Sequence, residues 1–312
     1  MKKGIFIIGL LAIVFTSCDK VDNIYPPYTN TTDLDYSLYP DGGEQEYLAN
    51  EWPMFTANTN TDRNIIIEDY TGHKCNNCPN AAVVAEALKD ANPTRVFVSS
   101  VHASPEGLGS FQQVDATYTD DLTCAEGIEY GKHFGALEWT GSPFWGNPYG
   151  SVTRNSANTG YPVQAHNTWT STTSTLMTAN DLKVNIQAAT NYFSSTRGLF
   201  LHTEIEVLDA GLTSDLYVVT QLMEDSLVGP QKMQDNTTNY TYVHHDIMRG
   251  CVDGRAFGQK LDEGHMDDNG KYYYNYSYKL PDQYDVTNMH LLIYVRDAST
   301  EEIYQVIRQE LE

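Results

Sequence analysis

The chain has 312 residues, with 19 basic against 41 acidic side chains, a formal charge of −22, and hydrophobic residues make up 41% of it. That is enough apolar side chain for a real core, and the length suggests about two domains. So acidic a balance argues against a nucleic-acid partner and against a polybasic membrane-binding surface, since both need clustered Lys and Arg; 22 Tyr beside 4 Trp and 10 Phe argues against an all-helical protein.

In chain order, Met1-Lys2-Lys3 is a charged start, and Ile5 to Phe15 is an apolar run broken only by Gly9. The run is short for a mature bilayer span and suits a secretory h-region. Phe15-Thr16-Ser17-Cys18, followed by Asp19-Lys20-Val21-Asp22, resembles a bacterial lipoprotein processing site. That resemblance implies removal of residues 1–17, lipidation of Cys18 and a membrane anchor made of acyl chains; an ordinary signal peptide cleaved near Ser17 is the alternative. No later stretch is long and apolar enough to cross a membrane as a helix. The expected compartment is the cell envelope, where disulfides persist. The acidic residues after Cys18 resemble the surface-export signals of Bacteroidetes lipoproteins, with the periplasmic and surface faces both left open.

Residues 18–60 read as a tether, rich in Pro, Asp, Asn, Thr and Tyr and without helical period. Its tyrosines and Trp52 either pack on the first domain or stay in solvent. From Arg63 the pattern sharpens. The β-branched run Asn64 to Tyr70 predicts a buried strand, Val83, Val84, Ala87 and Leu88 predict a helix over 80–91 with Pro79 in its first turn, and Arg95 to Val101 predicts a second strand. This is a βαβ unit, hence a parallel pair. Further helices are expected around 125–134 and 163–177, with a strand over 149–154.

After Asn180 the texture changes to period-2 alternation. Strand-like runs cover 182–188, 201–207, 216–222, 240–244, 272–280 and 289–295, with Asp268-Asn269-Gly270 as a hairpin signal. The expected architecture is therefore α/β plus all-β: an α/β domain over 61–180 followed by an antiparallel, immunoglobulin-like β-sandwich over 181–312.

Apart from Cys18 there are four cysteines: Cys75, Cys78, Cys124 and Cys251. Cys75-Asn76-Asn77-Cys78 falls between the first strand and its helix, where the helix dipole and free N–H groups favour a thiolate. Lys74 adds a positive charge. Strand, Cys-x-x-Cys, helix and parallel strand, with Gly141-Ser142-Pro143 downstream, together resemble the thioredoxin fold. The resemblance implies that Pro143 is a cis-proline facing the disulfide and positioning an extended client. It also implies that Asp69, six residues before Cys75, is the buried acid that moves a proton to or from Cys78; Glu68 is the alternative for that role. Lys74 stands where the family carries Trp, and the central pair is Asn-Asn, which leaves the redox poise open.

More of the chain resembles a narrower group. Glu68-Asp69-Tyr70-Thr71-Gly72 leading into Cys75-Asn76-Asn77-Cys78-Pro79 is similar to the Bacteroidetes outer-membrane-protein-28-related lipoproteins. So are Gly141-Ser142-Pro143 running on to Ser151-Val152-Thr153-Arg154-Asn155, the segment Tyr242 to Arg249, and Tyr304-Gln305-Val306-Ile307. This implies an outer-membrane lipoprotein with a thioredoxin-like domain and a β-rich second domain, in a family given roles in adhesion.

Two functions follow as expectations. One is thiol–disulfide exchange with an envelope or extracellular protein, with Cys75 attacking, Cys78 resolving, Asp69 relaying the proton and Pro143 positioning the client. The other is a surface adhesion or binding protein in which the disulfide is only structural. No cofactor is expected. A zinc site at Cys75 and Cys78 would need two further ligands, and no second Cys-x-x-Cys exists. Cys124 and Cys251 are either bridged or free. His244 and His245 alternate on a strand and so cannot easily share one site, and His73 either tunes Cys75 or is a loop residue near solvent. Asp262-Glu263 followed by Asp267-Asp268-Asn269-Gly270 invites a calcium reading, but it lacks EF-hand spacing and suits a hairpin turn. Asp225-Ser226-Leu227 resembles a short O-glycosylation signal of Bacteroidetes envelope proteins. The tyrosines from Tyr272 to Tyr278 either bind sugars or peptides or pack across strands.

Overall fold

The computed structural model describes residues 34–135 and 144–311. The lipidation candidate Cys18 and the proline candidate Pro143 both lie outside them.

The described chain opens on a segment expected to be an irregular tether, yet it carries a 3₁₀ turn (Tyr36–Leu38) and α1 (Glu44–Asn50). Tyr36, Tyr39, Tyr47 and Trp52 do not lie against the α/β half. They cluster with Phe193 and Phe200 of the β-rich half, where Tyr47 stacks on Phe200 at 4.4 Å and its hydroxyl meets His202 Nε2 at 2.8 Å. Burying that much aromatic surface outweighs the entropy of ordering so short a segment.

The expected βαβ unit follows as β1 (Ile65–Tyr70), α2 (Cys78–Ala91) and β2 (Val96–Val101), with β1 and β2 parallel. α3 (Ala125–Gly135) comes next, then β3 (Tyr149–Val152), antiparallel to β1, and α4 (Trp169–Ala179). β1 is buried along its whole length because it is covered on both faces. Ile65 and Ile67 meet α2 and α4, while Ile66 and Tyr70 meet α3. A Cβ at Gly150 would collide with the Glu68 carbonyl and the Trp169 ring, so glycine lets α4 close down on β3.

The rest is β-structure: β4 (Val184–Phe193), β5 (Gly198–Val207), β6 (Leu216–Glu224), β7 (Leu227–Lys232), β8 (Thr238–His244), β9 (Ile247–Cys251), β10 (Gln259–Lys260), β11 (Lys271–Lys279), β12 (Met289–Asp297) and β13 (Ile303–Glu310). Among the described residues, β11-β5-β4 form one sheet and β7-β8 a separate hairpin. The remaining strands extend the first sheet, in the order β13-β12-β6-β9-β2-β1-β3 with β10 on β6. β9 joins β2 in parallel through Ser100 and Ile247.

This corrects the expectation of a self-contained sandwich. Two layers do face each other in the second half: Val184, Ile186 and Leu201 of the three-stranded sheet pack on Val218, Leu291 and Ile293. The larger layer, however, is shared with the α/β half. Val219, Met223 and Leu292, which alternate with those residues, pack under α3 with Ile66 and Tyr70. Hydrogen bonding does not stop at residue 180.

A buried ion pair sits at this junction. Arg154, just after β3, donates to both carboxylate oxygens of Glu68 at 2.8 and 2.6 Å, with both side chains wholly buried. Its guanidinium lies over the rings of Tyr130, Phe134 and Tyr294, and Glu301 and Arg296 of the β12–β13 corner complete the network.

Candidate functional site

Cys75 and Cys78 are joined by a disulfide, with Cα atoms 5.4 Å apart. Cys75 lies in the loop after β1, its N–H bonded to the Gly72 carbonyl at 3.0 Å, and Cys78 is the first residue of α2 with Pro79 behind it. The second sulfur therefore stands at a helix N-terminus, where the dipole stabilises a thiolate leaving group. Lys74, the expected neighbouring charge, is spent on Asp115 at 2.6 Å.

Period-2 geometry separates the two adjacent acids. Asp69 shares the β1 face of Ile65 and Ile67 and looks toward α2, where it lines a cavity of about 40 Å³ with Cys78, Glu86, His102 and His244. Glu68 points the other way and is consumed by Arg154. Asp69 is buried, and its Oδ1 has no hydrogen-bond partner. Burial, assisted by the charge of Glu86, pushes its carboxyl up to about 8. A cavity of this size holds water molecules, not an organic ligand.

Three histidines ring the site. The rings of His73 and His102 are 6.4 Å apart and those of His102 and His244 5.9 Å. Burial holds all three below the usual imidazole range, His244 down to about 4. His73 is therefore no loop residue near solvent; it is buried, stacks on Tyr118 and binds the Gln113 carbonyl through Nε2 at 3.1 Å. His245 turns away from His244 and pairs with Asp225 at 2.7 Å, as strand alternation requires.

Sequence reasoning missed what covers the disulfide. The β7-β8 hairpin lies over it, and each sulfur residue is only 1% exposed. Gln231 donates through Nε2 to the Cys75 carbonyl at 3.0 Å, and Lys232 N–H donates to the His73 carbonyl at 2.8 Å. β7 was hard to foresee because Gly229 and Pro230 break its pattern. A second unforeseen feature is the cis peptide Asn147–Pro148. It directly precedes β3, whose Tyr149 pairs with Tyr70 at the disulfide end of β1.

None of the other candidates lines this cavity. Cys124 and Cys251 are free thiols, and burial pushes both up, Cys124 to about 12. Asp267 caps its own turn through the N–H groups of Asn269 and Lys271. Tyr274 and Tyr276 of the tyrosine ladder are buried in the inter-sheet core. Ser226 is exposed on the turn between β6 and β7. Among the described residues, no group of three or more His, Cys, Asp or Glu could hold a metal ion, and no helix is long and apolar enough to cross a membrane.

A family model described as outer membrane protein Omp28 matches residues 144–312. No curated protein matches the chain. Among solved structures, the chain is similar to HBP35 of Porphyromonas gingivalis at 18% identity and a TM-score of 0.59, over 80% of this chain and 76% of that one. A crystallised domain of the outer membrane lipoprotein Omp28 from the same organism aligns at 18% identity and a TM-score of 0.31, over 42% of this chain and 90% of that one. At such identity the HBP35 likeness speaks to the fold alone.

Proposed function

The chain belongs to the outer membrane protein Omp28 family, and from that premise we propose that it is an outer-membrane lipoprotein, anchored through Cys18, whose Cys75–Cys78 pair exchanges with the thiols and disulfides of envelope proteins. The order β1-α2-β2, with β3 antiparallel to β1 and α4 behind it, supports a thioredoxin-like reading of this half. One observation carries the chemistry: a buried carboxyl without a partner for Oδ1, Asp69, shares a small cavity with Cys78. Burying such a group costs stability, and a merely structural disulfide has no need of it.

In the reducing direction the Cys75 thiolate attacks a client disulfide, forming a mixed disulfide and releasing one client thiolate. Cys78 gives its proton to ionised Asp69 and attacks Cys75 Sγ. The bond to the client breaks, the second client sulfur leaves, and the Cys75–Cys78 disulfide forms. Two electrons have passed to the client, and the proton held by Asp69 goes to a leaving thiolate, through water in the cavity. With a pKa near neutrality, Asp69 can serve in both directions.

Replacing Cys78 by Ser should leave Cys75 trapped in mixed disulfides, visible on non-reducing gels of the envelope fraction. If none form, and the wild-type protein fails to catalyse insulin reduction by dithiothreitol, the exchange reading is lost. The burial of both sulfurs favours the second reading, a surface-binding lipoprotein whose disulfide only ties the loop to α2.

A further inference from the structure

We infer that the β7-β8 hairpin is a movable lid that must lift before any thiol can reach the Cys75–Cys78 disulfide. The inference concerns regulation of the proposed exchange site and rests on that reading for its biological purpose.

Three observations converge. The first is occlusion: both sulfur residues are 1% exposed, and the hairpin supplies Gln231, Tyr242 and His244 to the walls around them. In-line attack on a disulfide needs an open approach along the S–S axis, so exchange is blocked while the hairpin stays down.

The second is independence. The hairpin belongs to neither of the other sheets. Among the described residues, its polar ties to the α/β half include Gln231 to the Cys75 carbonyl and, at 3.5 Å, to the Gly72 carbonyl, Lys232 N–H to the His73 carbonyl, the Tyr118 hydroxyl to Thr238 Oγ1 at 3.1 Å, and Asn76 to Asn236 at 3.4 Å. A two-stranded hairpin is marginal by itself, and its own His244, at the end of β8, is buried with the imidazole Nε2 lacking a partner. Closure is thus held by a small number of weak contacts, the kind of element that opens locally without global unfolding.

The third is the pair of hinges. Each end of the hairpin carries a non-glycine residue in the left-handed region, Ser226 at φ 62° and Asp246 at φ 49°. Just outside or at these positions the chain is clamped to the body. Asp225 pairs with His245 across the hairpin's base, and Asp246 is held by Lys89 of α2 at 2.5 Å and by the Ser100 N–H at 2.7 Å through its carbonyl. Fixed ends with a sharp backbone reversal at each are what a pivoting flap requires.

The test is the rate at which the full-length protein's disulfide is reduced by dithiothreitol, followed by thiol labelling across a wide range of reductant. A lid predicts a rate that levels off at high reductant, where opening becomes limiting. Gln231→Ala removes the side-chain ties of β7 and Tyr118→Phe that of β8, and each should raise the observed rate at least about fivefold, the worth of one ordinary hydrogen bond. Hydrogen exchange should quicken in parallel over residues 227–244 and stay unchanged over β6 and β12, which separates lid opening from general loss of fold. A rate proportional to dithiothreitol throughout and equal in all three proteins would overturn the inference. So would reduction that keeps pace with global unfolding. Because this assay uses a small thiol and no client, the lid can stand or fall whatever the Cys78→Ser trapping experiment returns.

Discussion

Asp69 illustrates how one side chain's surroundings outweigh its identity. Two neighbouring carboxylates, Glu68 and Asp69, sit on a strand buried throughout. One is paired with a guanidinium; the other is kept from solvent with Oδ1 unbonded. For Asp69 the folded-state value near 8 lies above the ordinary 3.8, so the native protein keeps a proton that the unfolded chain gives up between about pH 4 and pH 8. Its contribution is therefore complete below pH 4 and is lost as pH rises through that window. Asp69→Asn should remove this decline. Urea titrations at pH 5 and pH 7.5 should show the variant gaining on the wild type by up to about 1.4 kcal/mol per pH unit. An identical pH dependence in the two proteins would show that Asp69 is hydrated and ordinary. The choice between the two acids could not be read from sequence, because it depends on which face of β1 meets α2.

At the scale of elements, the Arg154–Glu68 pair binds β3 to β1 beneath the rings of α3 and β12. Burying such a pair is expensive, and its value lies in register more than in net stability. Arg154→Met should cost about 3–5 kcal/mol because it strands a buried carboxylate, and adding Glu68→Gln should restore a large part of that loss. Chemical denaturation of the single and double variants measures both, and a double variant as weak as the single would refute the account. The elements themselves were unevenly legible. β1, α2 and β2 are plain because long apolar runs and a proline mark them. β7 and β9 are not, since Gly229, Pro230 and Gly250 interrupt both, and α1 is hidden in a stretch whose composition reads as tether.

For the molecule as a whole, the histidines set the acid limit. His73, His102, His202, His244 and His290 are all held below the usual imidazole range, chiefly by burial, with His202 and His244 near 4 and His290 near 3. A depressed histidine means that the unfolded chain takes up protons first. The histidines' contribution to stability is therefore complete above about pH 6.5 and drains as pH falls toward 4. Asp69, Asp246 and Asp253, which are raised by burial, offset part of this. The balance predicts a Tm lower by roughly 10 °C at pH 5 than at pH 7 by calorimetry; a Tm that is higher at pH 5 would contradict it.

Local information was sufficient for what depends on neighbours along the chain. The acidic charge that argues against a nucleic-acid partner, the strand–helix–strand around Cys75 and Cys78, the switch to alternating strands after residue 180 and the placing of that sulfur pair at a helix start all follow from residues a few positions apart. Contacts between distant residues decided the rest. That β9 hydrogen-bonds β2 and merges the two halves, that Tyr47 finds Phe200, that Asp69 rather than Glu68 faces Cys78, and that a hairpin more than 150 residues downstream covers the disulfide are matters of which surfaces meet. Backbone pairing and burial are satisfied across space, and a single sequence lists the groups that need partners without saying where each partner will be found.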